Sequence, residues 1–190
     1  MKTFKLVLSL SMLLVFTGCF NHYIAKDYQQ YLINNEGNNS FPKTSLEAQY
    51  KLTENTKTHS YKFRAASAGL AHAWIVEFGK VLEDTLESRD VQNAFGKLVK
   101  ASGDNTQGNL LVFDLIEYRF ENFRTFVTLK ITRIDNSKTV SEKTYTAEGK
   151  SQGGKVFLGG VFTMKNAVDQ STKLAIDDIL TSFINDQIGS

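Results

Sequence analysis

The stretch LLVFDLIEYRFENFRTFVTLKITRI, residues 110–134, decides the fold class. Its first half is an apolar and aromatic run from Leu110 to Phe120. In its second half Val127, Leu129 and Ile131 share one side of an extended chain, and Phe126, Thr128, Lys130 and Thr132 the other. Side chains alternate across a strand. A period of two with one apolar and one mixed side therefore predicts antiparallel strands with one buried and one wetter face. Asp135-Asn136-Ser137 supplies a hairpin turn. The following KTVSEKTYTA returns as a polar strand near an edge, where Lys138 and Lys143 oppose edge-to-edge pairing.

Upstream, residues 46–53 (LEAQYKLT) place Leu46, Ala48, Tyr50 and Leu52 on one side, and residues 59–68 (HSYKFRAASA) do the same with Tyr61, Phe63 and Ala65. With the polar turn of residues 54–58 between them, they are expected to form a hairpin. The period then lengthens. Ala71, Trp74, Ile75, Phe78, Leu82 and Leu86 recur at three and four residues, a helical stripe with Lys80, Glu83, Asp84 and Glu87 facing away. Asp90 is placed to cap a second helical segment that buries Val91, Phe95, Leu98 and Val99. Residues 149–160, GKSQGGKVFLGG, read as a glycine-bearing loop. A long amphipathic helix follows from Thr163 to Ile188, with Met164, Ala167, Val168, Ser171, Leu174, Ala175, Ile179, Leu180 and Phe183 on its apolar side. The order predicts an α+β domain: an antiparallel meander sheet of about five strands, helices packed on one face, and a long C-terminal helix.

The amino terminus carries an address. In MKTFKLVLSLSMLLVFTGC, Lys2 and Lys5 form a basic region and Leu6 to Phe16 an apolar one, too short for a confident membrane span. Small residues then lead to the only cysteine, Cys19, which has no partner in the chain for a disulfide. Phe16-Thr17-Gly18-Cys19 resembles the lipobox of bacterial lipoproteins, with Phe16 where Leu is usual. That resemblance implies cleavage between Gly18 and Cys19, a diacylglyceryl thioether on the cysteine and an acylated amino group, palmitate being one such acyl chain. Phe20 stands where an Asp would resemble an inner-membrane retention signal, so the outer membrane, on its periplasmic side, is the expected location. The expected division is a signal peptide at 1–18, a tether at 19–45 and one periplasmic domain at 46–190. Within the tether, Ile24, Tyr28, Tyr31 and Leu32 fall at helical spacing, which predicts a short helix docking on the body.

Charge narrows the partners. Lys2 and Lys5 are the only charges in residues 1–18, so the 22 basic and 20 acidic residues of the chain become 20 of each once the signal is removed. A neutral body lacks the basic face that nucleic acid requires. Attachment through acyl chains, rather than a polybasic patch, is what this balance implies.

Together with the lipobox, the element order resembles small Gram-negative lipoproteins, among them the YajG type and the PqiC-type auxiliary lipoproteins of ABC-type lipid transport. Those proteins also place a Trp- and Leu-rich helix before paired strands and end in a long helix; here the comparable stretches are Trp74 to Leu86, Leu110 to Ile134 and Lys165 to Ile184. The resemblance implies a non-enzymatic, membrane-tethered periplasmic domain, and its transport member implies a helper in phospholipid traffic. No residue-level motif carries a ligand site across.

Catalytic patterns are missing from the sequence. His22, His59 and His72 are the only imidazoles, without HExxH or paired-cysteine spacing, so no metal or other cofactor is expected. No GxSxG elbow is present, and Ser60 points to the opposite strand face from His59. Asp177-Asp178 and Glu83-Asp84 diverge by about a hundred degrees on a helix, which makes them solvated faces rather than acid/base pairs. Gly153-Gly154-Lys155 and Gly159-Gly160 match neither phosphate-binding pattern. The expectation is therefore a binding or assembly module, an accessory of lipid transport first and a scaffold for a protein complex second, with an envelope hydrolase ranked last. Phe126, Phe157 and Leu158 are the candidate contacts for phospholipid or a protein partner.

Overall fold

The computed structural model describes residues 20–38, 40–65, 71–103, 108–159 and 161–189. Gly18 and Cys19 lie outside the described residues, as does the side chain of Phe157. In chain order the elements are β1 (Phe20–Tyr23), α1 (Tyr28–Asn34), β2 (Glu47–Leu52), α2 (Glu54–Thr58), β3 (Ser60–Phe63), β4 (His72–Glu77), α3 (Phe78–Glu87), α4 (Arg89–Gln92), β5 (Lys97–Lys100), β6 (Asn109–Glu121), β7 (Arg124–Asp135), β8 (Lys138–Glu148), α5 (Gly153–Gly159) and α6 (Val161–Ile188).

The stretch that predicts strands forms them. β6, β7 and β8 are an antiparallel meander joined by two turns of two residues each, Asn122-Phe123 and Asn136-Ser137. All four turn residues have positive φ, from 45° to 68°, the type I′ geometry whose twist matches that of the strands it joins. Val127, Leu129 and Ile131 are buried, while Phe126, Thr128, Lys130 and Thr132 are half-exposed on the outer face. The sheet order is β5-β2-β6-β7-β8, with β2 parallel to both of its neighbours. The α+β architecture with five strands and a long C-terminal helix is as expected, but the sheet is mixed rather than antiparallel throughout.

Four local expectations are corrected. First, β2 and β3 do not form a hairpin. Residues 54–58 are helix α2, capped where Thr53 Oγ1 accepts from the Thr56 amide at 3.3 Å. The buried Thr56 hydroxyl accepts the Leu115 amide at 2.7 Å, fixing α2 on β6 and sending the chain into a second sheet, β1-β4-β3. Second, the helix expected from Ala71 starts only at Phe78, because His72–Glu77 is strand β4. Third, Leu98 and Val99 belong to edge strand β5, with Val99 exposed, and the helix before it is only α4. Asp90 does not cap α4, whose N-cap is Ser88; it accepts the Gly37 amide at 3.0 Å. Fourth, the loop expected at 149–160 contains α5.

Helix α6 lies on the inner face of the meander, and its other side is covered by α3 and by the region of Tyr28. Between Ala167 and Leu180 it is therefore buried on most sides, a broader burial than a single apolar stripe requires. Its polar residues are paired: Lys173 Nζ lies 2.6 Å from Asp177 Oδ2, both side chains under a tenth exposed. Thr172 Oγ1 is 3.0 Å from both Tyr118 Oη and Thr125 Oγ1, and Ser171 Oγ accepts the Thr125 amide at 2.8 Å. This hydroxyl network fixes the register of helix on sheet. It also demands close approach at Gly149, where a Cβ would come within 2.0 Å of the Ser171 carbonyl.

Candidate functional site

Residues 20–34 are integral to the body. Phe20 donates its amide to Ala71 O at 3.0 Å and Ile24 to Ile75 O at 2.9 Å, so β1 runs parallel to β4 along its full length. Ile24, Tyr28 and Leu32, at the spacing read in the sequence, are buried in the common core. The expected docking helix is present, and a strand precedes it.

Parallel pairing stacks equivalent positions. His72 stands opposite Phe20 and Trp74 opposite His22, and aromatic residues at these sites build a continuous row of rings. Phe20 stacks on His72 at 5.3 Å, His72 on His22 at 5.0 Å, His22 on Trp74 at 5.5 Å, Trp74 on Phe63 at 5.7 Å, and Phe63 meets Phe120 at 4.9 Å. The row grades from solvent to core: Phe20 is 58% exposed and Trp74 fully buried. Nε2 of His22 and Nδ1 of His72 are 2.8 Å apart, so one ring donates its N–H to the lone pair of the other. Burial, and then the adjacent His72, hold His22 below the ordinary imidazole value. Burial lowers His59 as well, which sits edge-on to Phe78 and Tyr118. The imidazoles are thus engaged with aromatic rings and with each other. Among the described residues no group of three His, Cys, Asp or Glu side chains is placed to hold a metal ion.

The three candidate contacts lie on two elements, Phe126 on β7 and Phe157 and Leu158 on α5. Phe126 is half-buried on the outer face of the meander, where the Arg119 guanidinium lies 3.8 Å from its ring centroid, a cation–π lid contributed by the directly opposite residue. That face is polar around it: Lys130 sits between Asp114 and Glu142, and Thr128 meets Thr146 at 3.1 Å. Phe126 thus lies among polar and charged side chains on that face. Leu158, on α5, is 88% exposed. Phe157 has its backbone in the same helix.

Of the described depressions one is small, one is polar, and one of about 350 Å³, lined by Tyr23, Ala25, Lys26, Glu77 and Lys80, is more apolar than polar. The cleft between α1 and the end of α3 has a volume of about 140 Å³, with Leu32, Ile33, Asp84, Glu87 and Lys173 in its lining. That is below the roughly 300 Å³ at which ligand pockets begin. Burial, reinforced by Glu87 and Glu83, pushes Asp84 up to about 6 there. A wider groove of about 430 Å³ is lined by Thr44, Ser45, Leu46, Glu47, Asn109, Arg133 and Gln187. Its polar lining suits neither an acyl chain nor a sterol.

No family model and no curated protein matches the chain. Solved structures with a similar course of chain include a DUF330 protein from Xanthomonas campestris, at 13% identity over 77% of this chain and 91% of that one, with a TM-score of 0.42. A hypothetical protein from Chlamydia trachomatis matches at 10% identity over 79% and 96%, TM-score 0.38. A minor lipoprotein from Acinetobacter baumannii matches at 15% identity over 76% and 91%, TM-score 0.34. Likeness of this degree transfers neither a role nor a site.

Proposed function

We propose that the chain is a lipid-anchored lipoprotein of the bacterial outer membrane, and that its periplasmic body is a non-enzymatic docking module. The observation that carries the reading is the lipobox-like motif ending at Cys19, followed directly by Phe20, which is hydrogen-bonded to Ala71 in the folded body. Among the described residues no helix is long and apolar enough to cross a membrane, and acyl chains on Cys19 would supply the attachment.

Docking of a protein partner is favoured over carriage of a lipid inside the body. A carrier needs an apolar cavity of acyl-chain width. The space between the meander and its covering elements is instead filled by Trp74, Phe78, Phe113, Leu129 and Phe183, all at most 1% exposed. An accessory of a lipid transporter and a scaffold of an outer-membrane complex would both use such a filled, rigid body.

The test is gentle detergent purification of the anchored protein, followed by mass spectrometry of what accompanies it. A reproducible envelope protein partner, without phospholipid at one per chain, is expected. Near-stoichiometric phospholipid with no protein partner would mean that the body is a carrier.

A further inference from the structure

Strand register places two exposed apolar side chains at one end of the molecule. Phe63 pairs with Trp74 across β3 and β4, and its ring meets Phe120 of β6, so these three residues share a level. Two residues further along β4 lies His72, with Phe20 beside it. Two residues further along β6 begins the Asn122-Phe123 turn. Phe20 and this turn therefore lie on the same side of that common level, each about two residues of strand beyond it. Helix α5 is seated on the turn: Ser151 Oγ donates to Asn122 O at 3.1 Å and the Gln152 amide to Phe123 O at 2.9 Å. Leu158 is five residues into the helix that starts at Gly153, within about 8 Å of that seat along the helix axis. Val156, 1% exposed, holds α5 against the body, while Leu158 two residues on is 88% exposed and Phe20 58%.

We propose that this end, with Phe20 and Leu158 as its apolar contacts, lies directly on the bilayer surface, so that the body is held flush and in one orientation. The inference rests on the reading of Cys19 as the lipidated residue. Consecutive Cα atoms are about 3.8 Å apart, and Phe20 is already hydrogen-bonded into the β1–β4 pair, so no spacer separates the acylated residue from the body. A long flexible tether would let the body turn freely, whereas a residue hydrogen-bonded into the body one position from the anchor keeps this end against the lipid. The rings behind Phe20 suit the boundary: His22 and His72 present polar nitrogens on an aromatic stack, the amphipathic character favoured between headgroups and acyl chains.

The far end provides the control. β7 spans Arg124–Asp135, about 40 Å of strand, and Val140, 56% exposed, lies just beyond its distal turn. With Cys19 acylated, a Leu158→Cys or Val140→Cys variant carries a single free thiol for a nitroxide label. The lipidated variants are reconstituted into phosphatidylethanolamine–phosphatidylglycerol vesicles, and label collisions with oxygen and with a water-soluble nickel chelate are compared. The ratio of oxygen to nickel collisions is expected to be several-fold higher at residue 158 than at residue 140. Equal ratios in a protein that is acylated and floats with the vesicles would overturn the flush orientation while leaving the anchor intact. An intact mass without acyl chains would remove the anchor reading and this inference with it.

Discussion

Asp169 is 1% exposed on α6, and one of its carboxylate oxygens has no hydrogen-bond partner. The other accepts Lys165 Nζ at 3.1 Å. Burial pushes the carboxyl up to about 6, with Lys165 offsetting part of the effect. Because its pKa is higher in the folded protein than in the unfolded chain, the folded state holds an extra proton between roughly pH 4 and 6. The stability contributed in this way is present at low pH and is lost as pH rises through 6. Asp169→Asn removes the titration. Urea unfolding of both proteins at pH 4.5 and 7.5 should show the variant gaining on the natural chain toward the higher pH, by at most about 3 kcal/mol for a shift of about two units. A difference between the two that does not change with pH would contradict this account of Asp169. His22 and His59 act in the opposite direction, since their lowered values withdraw stability as pH falls below about 6.5, but they are common to both proteins and cancel in the comparison.

The β7–β8 turn gives a test at the scale of an element. Ser137 is exposed and sits at φ 68°, in the left-handed region that L residues enter at a cost. Ser137→Gly creates the Asn-Gly pair preferred in type I′ turns. It should stabilise the protein by about 0.5–1 kcal/mol, read as a higher urea midpoint at unchanged slope. A lower midpoint would mean that the Ser137 side chain makes a contribution the turn geometry does not reveal. The meander was legible in the sequence because each of its strands has one core face, and Val127, Leu129 and Ile131 are buried where the alternation places them. The β4–α3 boundary was not. Trp74, Phe78, Leu82 and Leu86 are spaced by four, which fits a strand period of two as well as a helical period of 3.6. β2 and β3 were recognisable as strands, but their pairing is set by α2 docking on β6, a contact between Thr56 and Leu115 that local patterning does not encode. The row of rings was hidden for the same reason, because it joins His22 to His72 across fifty residues. A visible hint was the alternation of Phe20 and His22 directly after the cysteine.

On the scale of the whole molecule, the residue that follows Cys19 is already bonded into the body. Its core is closed, its widest described groove is polar, and the exposed apolar residues Phe20 and Leu158 belong to the end nearest Cys19. Two or three acyl chains would hold such a body firmly, since each buried methylene contributes about 0.8 kcal/mol. The proposed docking role would leave the rest of the surface, including the salt-bridged outer face of the meander, free for a partner. The measurement that decides the central claim is the intact mass of the protein extracted from membranes. A chain beginning at Cys19, lacking residues 1–18 and heavier by a diacylglyceryl group and an amide-linked acyl chain, is the predicted result. A chain that retains its first 18 residues, or begins elsewhere without acyl chains, would contradict it.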